Sequence, residues 1–254
     1  LHTLATALEK SLNKMKKPTV LILHGWGLNQ EYYAGLVYIL IQQGYDARAI
    51  DFPGFGKSTL PFKPLTLTDY AQFLRDYITK EHITNPVFIG HSFGGRVALK
   101  YNELYPNGVS ALVLTATPGY TPIPRKKLML FIYLAKIGKY AFSLPLINLV
   151  QDNVRRWYYY LAGARDFYRA HGVMRETFKN IVAEELEESM RIVNIPTLLV
   201  WGSGDVMVPV WIGQRMNKTI QGSKLVIIPG SDHGLPFKEP KNFYKAIAPF
   251  LKTL

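Results

Sequence analysis

Residues 86–95 read PVFIGHSFGG: an apolar run, then a serine with a glycine two positions to either side. The run reads as a buried strand ending near His91, and helical patterning begins at Phe93. Ser92 therefore occupies a sharp strand-to-helix turn. Such a turn strains the Ser92 backbone, and side chains at 90 and 94 would collide across it, so both positions are glycine. The hydroxyl is pushed clear of the turn, at the carboxyl edge where open parallel sheets bind ligands. The N–H of Phe93 points to the same place, at a helix N-terminus that favours negative charge. The pattern G-x-S-x-G has mechanical content only between a strand and a helix, and that context is present.

Similar apolar runs recur along the chain: PTVLILH (18–24), YDARAID (45–51), VSALVLTA (109–116), PTLLVWG (196–202) and KLVIIPG (224–230). Several are apolar almost throughout, as strands covered on both faces must be. Helical patterns near 30–43, 66–81, 93–105, 209–220 and 239–252 alternate with them. This alternation predicts a mostly parallel sheet of about six strands, flanked by helices. The 254 residues suffice for one domain with an insertion. The alternation breaks between Ala116 and Pro196, where the sequence reads as helical. The expected organisation is a core built from 1–117 and 195–254, with a helical cap over 118–194. LMLFIYLAKIGKYAFSLPLINLV within the cap is interrupted by Lys136, Lys139 and Pro145 and falls short of the ~20 apolar residues of a membrane span. The opening LHTLATALEKSLNKMKK has apolar residues at helical spacing and reads as an amphipathic helix packed on the fold.

At 48% hydrophobic and 19% charged residues, the composition is globular. Cysteine is absent, which excludes disulfides, thiolate metal sites and a cysteine nucleophile. The formal charge is +12. Ten basic and two acidic residues lie between Tyr120 and Arg175, so this segment holds +8 of it. A charge so concentrated can attract an acidic carrier protein or an anionic membrane surface.

A serine hydroxyl needs a base, and the base needs a carboxylate to orient it. Of six histidines, His233 alone lies just past a late strand, in IIPGSDHGLPF. Asp205 lies just past the preceding strand, in WGSGDVMVP, and is preferred to Asp232 because sequence neighbours rarely aim at each other. His24 and His91 fall in tight turns and are read as serving backbone geometry, and Asp51 as bracing its own loop. HGWGLN (24–29) follows the first strand. Gly25 and Gly27 let it approach Ser92, so that the N–H of Trp26 joins that of Phe93 as an oxyanion donor. The side chains of Trp26 and Phe93 are also expected to line an apolar substrate pocket, together with cap aromatics.

The motifs HGWG, DFPGFGKS, GHSFGG, WGSGD and SDHG, in that order, resemble the α/β-hydrolase superfamily over about residues 18–254 apart from the cap. HGWGLN is most similar to the branch holding the pimeloyl-carrier-protein methyl ester esterases. The resemblance implies a carboxylesterase-type serine hydrolase for esters of short or medium apolar acyl chains, with Ser92, Asp205 and His233 as its triad and no cofactor; no metal is expected, since no His/Asp/Glu cluster has metal-ligand spacing. It also implies a shortened sheet, since members usually begin with two further strands where this chain has a helix-like segment. Lactone opening or carbon–carbon hydrolysis on the same triad is an alternative, although carbon–carbon hydrolases usually carry Asn where His91 stands. A non-catalytic receptor on this fold is another, although such relatives generally lose a triad member. A cytoplasmic location is expected.

Two motifs point elsewhere and are set aside. GFGKS (54–58) has Asp51 where a phosphate loop needs its first glycine. RRWYYYLAGARDFYRA (155–170) pairs rings and arginines as a nucleic-acid surface would, but at helical spacing such rings pack on a core while the arginines stay solvated. No nucleic-acid partner is expected.

Overall fold

All six apolar runs form strands in a computed structural model of the chain, which describes residues 17–120 and 170–254. They are β1 (Val20–Leu23), β2 (Ala47–Ile50), β3 (Val87–His91), β4 (Ala111–Thr115), β5 (Thr197–Gly202) and β6 (Lys224–Ile228). Every pairing is parallel, and the order is β2-β1-β3-β4-β5-β6. The described helices are α1 (Ala34–Gln42), α2 (Leu67–Lys80), α3 (Phe93–Leu104), α4 (Gly172–Ala183), α5 (Glu187–Arg191), α6 (Val210–Thr219), α7 (Leu235–Lys238) and α8 (Pro240–Leu251). A turn of 3-10 helix at Gln30–Tyr33 leads into α1.

Alternate strand residues feed two separate cores, which is why the central strands read as almost unbroken apolar runs. Leu21, Leu23, Phe88, Leu112, Leu114, Leu199 and Trp201 pack on the face that α2, α3 and α6 cover. Val20, Ile22, Val87, Ile89, Val113, Leu198 and Val200 pack on the other, beneath α1 and α8. Both faces are removed from water, so polar alternation has no place in the central strands. β6, at the sheet edge, is only partly buried.

The order reverses between β1 and β3, which are neighbours in register from Val20↔Val87 to Leu23↔Gly90. Chain leaving β1 turns toward β2, whereas chain leaving β3 turns toward β4. This divergence opens a crevice beyond their carboxyl ends.

The helix expected over 1–17 lies outside the described residues, apart from Lys17, and so do most of the segment 118–194 and the stretch 155–169. Among the described residues, no helix is long and apolar enough to cross a membrane.

Candidate active site

Ser92 sits at the strand-to-helix turn with φ 52° and ψ −113°, a left-handed conformation that costs a non-glycine residue about 1–3 kcal/mol. Its backbone is tied on both sides. Its N–H donates to the Thr115 carbonyl at 2.9 Å, and its carbonyl accepts from the N–H groups of Gly95 and Arg96 at 3.1 and 3.3 Å. The flanking glycines are needed, but for two different reasons. A Cβ at Gly90 would lie 2.6 Å from the Gly95 backbone, across the turn as expected. A Cβ at Gly94 would instead lie 2.1 Å from the carbonyl oxygen of Leu23 in β1. Gly94 thus lets α3 start against the neighbouring strand.

Asp205 is fixed before it meets any histidine. Its Oδ1 accepts from the N–H groups of Met207 and Val208 at 2.9 and 2.8 Å, and its side chain is fully buried. Only Oδ2 is left, and it accepts from His233 Nδ1 at 2.9 Å. A carboxylate accepts only, so the proton sits on Nδ1 and, in the neutral ring, Nε2 keeps its lone pair. Asp232 turns away and takes Gly234 N–H at 2.7 Å and the Lys238 ammonium at 2.5 Å.

Ser92 and His233 line one cavity of about 690 Å³, with Trp26, Leu28, Phe55, Met174, Val206 and Met207 among its walls. The sequence-derived Ser92 and His233 therefore share this cavity, and Asp205 stands behind His233. Among the described residues no hydrogen bond joins Ser92 Oγ to His233 Nε2, a contact that often tightens only when substrate is bound.

The two expected oxyanion donors lie on the loops that leave β1 and β3, the adjacent strands at the switch point. Among the described residues, neither N–H group is taken by another acceptor. The Trp26 indole lines the cavity and meets Phe55, Phe93 and Phe178 edge-on at 4.9, 5.4 and 5.0 Å. The Phe93 ring, expected as a substrate contact, is instead 3% exposed and packed among His24, Phe52 and Tyr70, outside the cavity lining. The reasons for the loop glycines differ as well. Gly25 provides close approach, since its Cβ would lie 2.9 Å from His91 Nδ1; Gly27 provides φ +72° with open space around it.

His24 and His91 do more than occupy turns. His24 Nδ1 donates to the Gly25 carbonyl at 2.8 Å, and its Nε2 accepts from Phe52 N–H at 3.1 Å. Burial lowers its pKa to about 4, against weaker opposing effects of the Gly25 carbonyl and Asp51. His91 is fully enclosed; burial, and next the neighbouring His233, push its pKa well below the usual imidazole value. Its Nδ1 meets Tyr33 Oη at 2.6 Å, and its Nε2 meets the His233 carbonyl at 2.9 Å. Asp51 braces its loop as expected, accepting from Gln30 N–H at 2.7 Å and Lys57 N–H at 2.9 Å. GFGKS thus wraps around a carboxylate, which is incompatible with cradling a phosphate.

Sequence reasoning missed Arg96, one turn beyond Ser92. It is 6% exposed, and its guanidinium donates to the carbonyls of Pro118 (2.5 Å), Ile181 (2.9 Å) and Glu184. An arginine on the buried face of a helix is the signal that could have drawn attention to it. Among the described residues no cluster of three or more His, Asp and Glu side chains could hold a metal ion.

Fold and site together define the class as an α/β hydrolase. The chain belongs to the Alpha/beta hydrolase family, whose model matches residues 20–246. It is 23% identical to a bifunctional esterase/perhydrolase of Acinetobacter calcoaceticus, over 93% of this chain and 92% of the relative. It is 24% identical to a pimeloyl-[acyl-carrier protein] methyl ester esterase of Wigglesworthia glossinidia brevipalpis, over 92% and 93% of the two chains. Among solved structures, an esterase from Exiguobacterium antarcticum superposes with a TM-score of 0.70 at 23% identity, covering 92% of each chain.

Proposed function

We propose that this protein is a carboxylesterase-type serine hydrolase acting on esters of short or medium apolar acyl chains. The observation that supports this most is the carboxylate-held imidazole of His233, sharing a cavity with a serine on a strained turn. Ser92 Oγ attacks the ester carbonyl and passes its proton to His233 Nε2. Asp205, held by two backbone amides, keeps the proton of His233 on Nδ1 and stabilises the imidazolium that forms. The N–H groups of Trp26 and Phe93 stabilise the oxyanion, each contributing about 3 kcal/mol at the transition state. The alcohol departs with the proton from His233, and water activated by the same imidazole releases the acid from Ser92. The reaction needs no cofactor.

Trp26, Leu28, Phe55 and Met174 favour an apolar acyl chain. In this reading the cap extends over 118–194, and its α4 already supplies Met174 to the cavity and Phe178 to the Trp26 ring. The +8 charge between Tyr120 and Arg175 and the relative that acts on a carrier-protein ester together favour delivery of the substrate by an acidic carrier. Carrier docking predicts that hydrolysis of a carrier-tethered ester slows with salt while that of a free ester does not; equal salt dependence would remove it. The main reading is tested with a chain-length series of chromogenic esters on the wild type and Ser92→Ala. The wild type should turn over short and medium esters and the variant should not. Equal rates would discredit the assignment.

A further inference from the structure

The His233 and Trp26 loops are joined by a hydrogen-bonded chain that runs in one direction. Gly25 N–H donates to Tyr33 Oη at 3.1 Å, so the Tyr33 hydrogen must go elsewhere. The acceptor beside it is His91 Nδ1 at 2.6 Å, which is therefore unprotonated. The single imidazole proton is then on Nε2, which donates to the His233 carbonyl at 2.9 Å. Every link is satisfied in one direction only, from the Gly25 amide to the His233 carbonyl. Burial keeps both intermediaries in the form the chain requires: it raises the Tyr33 phenol pKa and lowers that of the His91 imidazole. Protonation of His91 would set Nδ1–H against Tyr33 O–H and leave the phenol hydrogen without an acceptor.

The two ends of the chain are significant. Gly25 immediately precedes Trp26, whose N–H is a proposed oxyanion donor. The His233 carbonyl belongs to the residue that carries the proposed base. Tyr33 and His91 are both buried, and the close approach of Gly25 to His91 Nδ1 leaves no room for slack. We propose that Tyr33 and His91 are positioning residues that hold the oxyanion loop and the base in fixed register with each other. This rests on the reading of Ser92 and His233 given above. His91 contributes as a rigid neutral spacer beside an imidazole that becomes cationic during the reaction, its ring centroid 4.9 Å from that of His233.

Tyr33→Phe removes one oxygen and breaks the chain at its middle, leaving a buried amide unpaired. It should lower kcat on the order of tenfold with KM little changed. It should also shift the low-field NMR resonance of the proton between His233 and Asp205, which a role confined to stability would not move. His91→Ala should lower kcat as well, and Tyr33→Phe added to it should cost little more, because both cut one chain. Unchanged kcat and resonance in Tyr33→Phe would overturn the proposal, as would losses that add fully in the double variant. If His91→Ala does not fold, Tyr33→Phe alone decides. Ser92→Ala is the control: retained activity there would refute the esterase reading itself, whereas an inactive Ser92→Ala beside an unaffected Tyr33→Phe would refute only the coupling.

Discussion

Gly94 lies so close to β1 that a methyl group on it would sit 2.1 Å from the carbonyl oxygen of Leu23. One residue thereby sets the distance between the helix that follows Ser92 and the strand that precedes the Trp26 loop. Neither the oxygen nor the strand can yield, because Leu23 is paired on both sides within the sheet. Gly94→Ala should destabilise the protein by about 3 kcal/mol or more, or abolish folding. Gly27→Ala meets no obstruction and carries only the cost of a left-handed residue, about 1–2 kcal/mol. Urea denaturation of the two variants tests the contrast, and equal losses would contradict it.

Arg96 connects α3 to both ends of the segment between β4 and β5. Its guanidinium reaches Pro118 at the entry and Ile181 and Glu184 at the exit. Burial lowers its pKa to about 10, which still leaves it charged at neutral pH. Arg96→Met should cost about 2–4 kcal/mol, since one buried and two half-buried carbonyls lose a charged donor. Arg96→Lys should recover little of that, because a compact ammonium lacks the fork that spans separate acceptors. Full stability in the lysine variant would show that charge, not geometry, is what this position needs.

His24 makes stability depend on pH with a defined sign. Its pKa is about 4 in the folded protein against 6.5 in the unfolded chain. Below about pH 6.5 the unfolded chain takes up a proton that the folded protein refuses, so this contribution is complete above that pH and is lost as pH falls toward 4. The loss amounts to about 3 kcal/mol for His24, and His91 acts in the same direction. Urea midpoints at about pH 7 and about pH 4.5 should fall further apart in the wild type than in His24→Gln. An equal fall in both would contradict this origin.

The sheet was legible in the sequence because burial on both faces leaves the central four strands, buried throughout, almost wholly apolar. Ser92, Asp205 and His233 could be placed at one edge of the sheet because they follow β3, β5 and β6 within five residues, where the chain has little freedom. What could not be read depends on groups without a sequence signature. Arg96 is defined by carbonyls up to 88 residues away. The link from Tyr33 to His91 spans 58 residues, and every amino acid supplies the backbone groups that terminate it. The Phe93 ring was misplaced because its position beside Ser92 fixes where its amide points, not where its side chain packs. The glycine at 94 was assigned a clash across its own turn, when the obstacle belongs to β1, more than 70 positions earlier.

The proposed chemistry makes Ser92 a nucleophile activated by His233. It is tested most directly by treating the protein with a fluorophosphonate and mapping the adduct by peptide mass spectrometry. One adduct is expected, on Ser92, forming quickly in the wild type and very slowly in His233→Ala, where the base is missing. A wild type that remains unlabelled at Ser92, or a His233→Ala variant labelled there equally fast, would contradict it.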